Sequence, residues 1–507
     1  MDRGIQTTDE TDKRDLEIQR NDPEKACKKQ AGRKQKPRRP EIVTADYLPI
    51  LLNHYFPDFN QLIDNLPDPR DPNRTVYSIR HEIYLGILMF LSHAGSRSQF
   101  DSDCRMETFC DNFNLLTGED NEYIARMDTV FYLLKQMDPE RFSKLPGELV
   151  KTLITKNVLR KYRFNGEYLI AVDGTEVYRS KIRHCDKCLV QEHRNGTTDY
   201  FHTVLEAKLI TRDGLALSVA SVFVENESKS YDKQDCELKA FYRLEKILKE
   251  IFPQLHICLL MDSLYANENV LEICERNKWG FFLAFKPGAI PTLYQKAFDE
   301  IENNPENSVT LTNGNNEREV HRWACNQTYR SSVIHLVTVD VFSKNEKGGE
   351  DGQSTRFVYL TDTRPCHESI VELNNYGGRQ RSKIEEAFNV QKNNGYNLEH
   401  NYGAQGFAYK NCYIIMQMAH LLHQLMYNSD LSGKLVSIKL RETMSTAGKA
   451  IIASLVESVR QTRKLFPSLK DFARKFGESM RYRTINGFAL DPQFAGSIQI
   501  RLYFDTS

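Results

Sequence analysis

Apolar positions fall into two textures along the chain. From Tyr47 to about Val158 they recur in segments long enough for helices, LPILLNHYF, VYSIRHEIYLGILMFLSHAG and MDTVFYLLKQM, broken by Pro, Gly and Asp clusters. At Tyr168 the texture changes to short β-rich runs. YLIAVDG predicts a strand ending in an acidic turn; FHTVLEAKLIT and LALSVASVFV predict two more, joined at RDG. A long amphipathic helix follows from near Asp235, then the strand LHICLLMD, the helix NENVLEICERNKW and the strand FFLAFK. This order predicts an α/β fold, a mixed sheet covered by helices, with Asp173 and Asp262 at the carboxyl ends of strands, where open sheets place ligands.

Between Ser308 and Thr363 the runs SVTLTN, REVHRWACN, SSVIHLVTVDVFS and TRFVYLTD, separated by Asn, Gly and charged turns, predict a β-rich insertion. Helix resumes at RSKIEEAFNVQK and through YKNCYIIMQMAHLLHQLMY. The organisation expected is a disordered tail over 1–44, a helical N-terminal domain over 45–164 that could bind DNA ends, and a core over 165–300 and 367–430. The insertion spans 301–366, and a helical C-terminal region over 431–507 could serve oligomerisation. No internal repeat and no helix-turn-helix signature is visible.

Composition adds bounds. The 507 residues are 40% hydrophobic and 27% charged, ordinary for a globular chain. No apolar run nears the roughly 20 residues of a membrane span, and no apolar segment follows the first charged residues, so neither a membrane anchor nor a signal peptide is expected. Eleven scattered cysteines suggest free thiols in a reducing, cytoplasmic setting. Net charge is zero, with 68 basic and 68 acidic residues, so any affinity for DNA must rest on local fields. Two exist: KKQAGRKQKPRR from Lys28, more plainly read as a solvated, disordered tail, and the cluster Arg379, Arg381 and Lys383.

Cleavage of a phosphodiester needs an activated oxygen, neutralised phosphoryl charge and a stabilised leaving group, which hard divalent ions held by carboxylates supply. Asp173 and Asp262 follow apolar runs that fix their backbone, although strand-terminal aspartates also serve as turn and cap residues. Gly174 would permit a tight turn beside Asp173. In RSKIEEAFNVQK, Ile384, Phe388 and Gln391 share one helical face, and Arg381, Glu385 and Lys392 lie within one half of the helix. Glu386 is the competing carboxylate, and periodicity does not separate the two.

The segments LIAVDGTEVYRS, LLMDSLYAN and RSKIEEAFNVQKNNGYNLEHNY resemble the three catalytic blocks of bacterial insertion-sequence transposases with a DDE active site. In these proteins a ribonuclease-H-like core is interrupted by a β-rich insertion before the glutamate. The resemblance covers residues 165 to about 425, with 88 residues between Asp173 and Asp262 and 122 between Asp262 and Glu385. It implies that Asp173, Asp262 and Glu385 ligate Mg²⁺, with Mn²⁺ as substitute. It also implies that the chain cleaves element ends and joins them to target DNA within a synaptic homodimer. Of the family's Tyr, Arg, Glu and Lys signature, Arg381, Glu385 and Lys392 match; the Tyr position falls on Gly378, with Tyr376 two residues away. Two alternatives stand beside this: another metal-dependent nuclease on the same core, and a non-catalytic DNA-binding derivative.

Further candidates are weighed against plain packing. His184, Cys185, Cys188 and His193 form H-C-x2-C-x4-H, a spacing able to hold structural zinc but unlike the common finger. Asp235 is either a helix-start residue or an auxiliary acid, and His202 is expected in the core. Trp323, with Arg318 and Arg322, is a candidate for stacking on a distorted base and for phosphate contacts; Trp279 is expected in the core. The polar stretch from Asn389 through Tyr396 to His400 is expected near DNA.

Overall fold

A computed structural model of the chain describes residues 43–486, except 229, 316, 343–353, 401, 404–405 and 432–461. The expected tail with its Lys28 tract, the charged turn KNEKGGEDGQ expected between the last two strands of the insertion, and much of the C-terminal region lie outside the described residues. No described helix is long and apolar enough to cross a membrane.

The chain folds as mixed α/β around a ten-stranded mixed sheet. Its strands are β1 (Tyr168–Ser180), β2 (Leu189–Glu192), β3 (Thr198–Ile210), β4 (Ala216–Val224), β5 (Ile257–Met261), β6 (Gly280–Ala284), β7 (Ser308–Thr312), β8 (Arg318–Tyr329), β9 (Ser332–Phe342) and β10 (Ser354–Thr361). The order is β2-β3-β1-β5-β6-β10-β9-β8-β7, with β4 also on β3. β3 runs antiparallel to β1, and its other edge is shared by β2 (against Thr198–Phe201) and β4 (against Thr203–Ile210). β1, β5 and β6 are parallel. β10 returns antiparallel to β6, so the strands of the expected insertion continue the same sheet rather than standing apart from it.

Strand parity decides which side chains meet, because alternate residues face opposite sides. Leu169 and Ala171 of β1, with Cys258 and Leu260 of β5, pack on one face beside Phe282, Ile384 and Phe388. Ile170, Val172, Leu259 and Met261 pack into the larger cluster on the other face. Asp173 and Asp262 continue the first series.

Nine helices matter to the site and its support: α1 (Ile79–Leu91), α2 (Met127–Gln136), α3 (Leu145–Thr155), α4 (Glu237–Ile251), α5 (Glu268–Asn277), α6 (Pro291–Asn303), α7 (Ser382–Asn393), α8 (Ala408–Tyr427) and α9 (Leu469–Tyr482). Their starts follow ordinary capping: Ser78, Asn267 and Ser468 each accept a backbone N–H of the first turn of α1, α5 and α9. α6 and β2 were not expected. In α6, Leu293, Ala297 and Ile301 bury one narrow stripe of an otherwise polar helix. α8 is buried almost all round and packs against α1, α2 and β4; a Cβ on Gly86 of α1 would lie 2.9 Å from Ile415 Cδ1, so glycine there lets the two helices close up.

The C-terminal helix α9 belongs to the N-terminal helical region. Thr44 N–H donates to Ser479 Oγ (3.2 Å), Asn112 Nδ2 donates to the carbonyls of Met480 (2.9 Å) and Arg483 (2.7 Å), and Ile485 N–H returns to Asn112 Oδ1 (2.9 Å).

Candidate functional site

β1 does not end at Asp173. The strand runs on to Ser180, with Asp173 opposite Glu206 of β3. What ends there is the pairing with β5: the last parallel partners are Ala171 and Leu260, so Asp173 and Asp262 each follow two residues later, on the same face as those partners. Asp262 caps the short turn Ser263–Tyr265, its Oδ1 accepting the N–H of Leu264 at 2.8 Å. Asp173 Oδ1 accepts the N–H of Gly174 at 3.0 Å.

The helix α7 lies over this face, burying Ile384, Ala387, Phe388 and Gln391. That rotation turns Glu385 towards Asp173, and both line a cleft of about 310 Å³ with Thr175, Asn389 and Lys392. Glu386 points away and pairs with Lys383 at 2.9 Å. Arg381 binds the acids together: its Nη1 lies 3.7 Å from Asp173 Oδ2 and its Nη2 donates to Glu385 Oε1 at 2.5 Å. Burial works against the guanidinium charge, but Glu385, Asp173 and Asp262 outweigh it and hold the group above its ordinary range.

A fourth carboxylate, missed in the sequence, approaches from the opposite face. Glu237 opens α4 and lies against Gly174, where a Cβ would fall 2.2 Å from Glu237 Oε1. Gly174 therefore does not make a turn; its missing side chain leaves room for Glu237. Burial raises the Glu237 carboxyl, and Asp262 adds to the shift. Burial also pushes Asp173 up to about 6; Arg381 opposes the rise, and Glu385 and Glu237 add to it. Asp235, the acid considered from sequence, is tied to Arg243 (2.6 Å) and does not reach the centre.

Beneath the acids a buried polar network fixes α7. Glu206 accepts from Ser218 Oγ, Ser221 Oγ (2.6 Å) and Tyr413 OH (2.9 Å), and pairs with Lys208 at 3.4 Å. Lys208 donates to Gln417 Oε1 (2.5 Å), and Gln391 of α7 donates to the same oxygen (2.8 Å). Every partner is off the surface, so the network holds one register of α7 against β3 and α8.

Several expected DNA contacts are committed elsewhere. Trp323 is 3% exposed, with its ring edge-on to His367, so it packs in the core instead of offering a face to a base. Arg322 is bound to Asp340 (2.7 Å) and Arg379 to the buried Glu319 (3.1 Å). Arg318 lies over the Phe342 ring. Lys392 lines the cleft and pairs with Glu399 at 2.8 Å. Gly378 is pressed against the Tyr359 ring with no room for a Cβ, whereas Tyr376 is exposed. Tyr396 is fully buried, its hydroxyl 2.8 Å from His423 Nδ1, and Trp279 is core as expected.

The cysteine loop also departs from expectation. His193 lies 3.2 Å from Asp199, and the His184 ring stacks on Tyr200. The side chain that meets Cys185 and Cys188 is His202. No family model matches the sequence, and no curated protein matches it.

Proposed function

We propose that the chain is a DNA transposase, cleaving phosphodiesters at element ends and transferring the freed strand into target DNA. The observation that carries this reading is that Arg381 joins Asp173 and Glu385, two acids far apart in sequence, and that Asp262 lies near enough for its charge to act on the same guanidinium. The strand order β4-β3-β1-β5-β6, an antiparallel hairpin beside three parallel strands, supports a ribonuclease-H-like core, with β7–β10 as the inserted strands before α7.

The donors fit a hard divalent ion. All are carboxylate oxygens, and burial raises the Asp173 and Glu237 carboxyls, a cost that a bound cation would offset. Asp173, Asp262 and Glu385 would hold Mg²⁺, or Mn²⁺ in its place, which supplies a more acidic bound water and charge neutralisation at the phosphoryl oxygens. Arg381 orients the Glu385 carboxylate and lowers the cost of ionising Asp173. Lys392 puts a second cation along the cleft, where a DNA phosphate would lie. The Lys208 network keeps α7, and so Glu385, at a fixed distance from the strands.

The test is incubation of the chain with DNA flanking its gene and Mg²⁺ or Mn²⁺, mapping the cut ends. Transfer of a pre-cleaved end into a second duplex separates a transposase from another nuclease on this core. Asp262→Asn should bind the same DNA and leave it uncut; wild-type cleavage by that variant would remove Asp262 from the chemistry.

A further inference from the structure

Apart from the acidic centre, a second constellation lies where the far half of β1 meets β3. Tyr178 and His202 are register partners there. The loop that follows β1 is pinned at both ends. Tyr178 OH donates to the Arg183 carbonyl (2.7 Å), and Ser180 Oγ accepts the N–H groups of Ile182 (3.2 Å) and Arg183 (2.9 Å). Asn226, just past β4, donates its side-chain amide to the Cys188 carbonyl (2.9 Å) and its N–H to that of Lys187 (3.0 Å).

So held, Cys185 Sγ and Cys188 Sγ lie 3.6 Å apart, and His202 Nε2 lies 3.2 Å from the first and 3.3 Å from the second. Around a tetrahedral zinc ion, with Zn–S about 2.3 Å and Zn–N about 2.0–2.1 Å, ligand atoms lie roughly 3.5–3.8 Å apart, so the triangle is only slightly tighter than an occupied site. The sulfurs are well beyond the ~2.05 Å of a disulfide. Cys188 and His202 are buried at 3% and 5% exposure, and the His202 ring is clamped by stacking on Tyr409 at 4.5 Å.

The geometry points to a soft-metal site in which Cys185, Cys188 and His202 bind Zn²⁺, with solvent as the fourth ligand. Two thiolates and one imidazole select zinc over the hard ion suited to Asp173, Asp262 and Glu385. Two thiolates also neutralise the ion, which suits a site closed on one side by the core. Among the described residues no fourth Cys, His, Asp or Glu atom joins the set. The open vertex faces a cavity of about 400 Å³, lined in part by His184, His400 and Tyr409. Bound there, the ion would staple the loop after β1 to β3, stiffening the far half of the strand that carries Asp173.

Full-length chain purified under reducing conditions and exhaustively desalted should carry one zinc ion per chain by elemental analysis. His202→Asn and the Cys185→Ser/Cys188→Ser double variant should lose it, while His193→Ala, whose ring is paired with Asp199, should keep it. Because the double variant could fail to fold, the wild-type chain is also stripped and reloaded with Co²⁺. Thiolate-to-cobalt charge transfer and the visible bands of a tetrahedral ion are expected, bleached by added Zn²⁺. Wild-type protein that holds no zinc and gives no such spectrum would overturn the site. So would zinc retained by the His202→Asn variant, or an intact mass showing a Cys185–Cys188 disulfide.

Discussion

Replacing Asp173 by Asn should make the metal-free protein more stable while ending the proposed DNA cleavage. Burial, with Glu385 and Glu237 nearby, pushes this carboxyl up to about 6 from an ordinary 3.8, and Arg381 only partly offsets them. The folded value lies above the unfolded one, so between about pH 4 and 6 the native state binds more protons than the unfolded chain. Stability therefore falls as pH rises through that window, and the full cost is present above it. At about 1.4 kcal/mol per tenfold change, the difference corresponds to about 3 kcal/mol at neutral pH. The side chain is 21% exposed, so solvent screening trims this figure without removing it. Asn keeps the shape and sheds the charge. Chemical denaturation at pH 7.5 without divalent ions should show Asp173→Asn more stable by roughly 1–3 kcal/mol, a gain shrinking below about 1 kcal/mol at pH 4. Added Mg²⁺ should stabilise the wild type and leave the variant unmoved, because only the wild type keeps the ligand. A variant less stable than wild type at pH 7.5, or a gain equal at both pH values, would refute the reasoning.

Lys208→Ala should cost about 3–5 kcal/mol in urea unfolding, because it leaves the buried Glu206 without its cation, and a Lys208→Met/Glu206→Gln pair should recover much of the loss; a single variant within 1 kcal/mol of wild type, by about the spread of surface changes, would contradict the network. Trp323→Ala should lower stability by about 3–5 kcal/mol and affect DNA binding only through folding, which denaturation and binding on the folded fraction together report. Arg381→Ala should weaken binding of element ends and flatten the plot of log affinity against log salt by about one, the mark of a lost phosphate contact; an unchanged slope would confine Arg381 to arranging the acids.

Much of the strand framework was legible because two-residue alternation is a local property. Leu169 and Ala171 already carry the parity that puts Asp173 on the face of Asp262, and Ile384, Phe388 and Gln391 set the rotation of α7. What escaped depends on contacts between distant segments. Glu237 looks like a routine helix-start acid until Gly174 is seen to make room for it. His202 reads as one more strand residue until the loop after β1 folds back over it. Arg322 looks free for phosphate because Asp340, two strand positions past its partner Thr338, is identified only once β8 and β9 are in register. Trp323 was misplaced for a related reason: a strand pattern tells alternation but not which face the helices before and after β7–β10 will cover.

The stitching of α9 onto the first helices bears on how the protein is made. During synthesis, Asn112 and Ser92 emerge hundreds of codons before Met480, Arg483 and Gly477, the groups they meet. Until then the Asn112 side chain lacks the carbonyls of Met480 and Arg483 and the N–H of Ile485 that it meets in the folded chain. A message cut short anywhere upstream of residue 469 would yield a polypeptide whose leading part cannot close, a target for proteases rather than a lingering competitor for the full-length product.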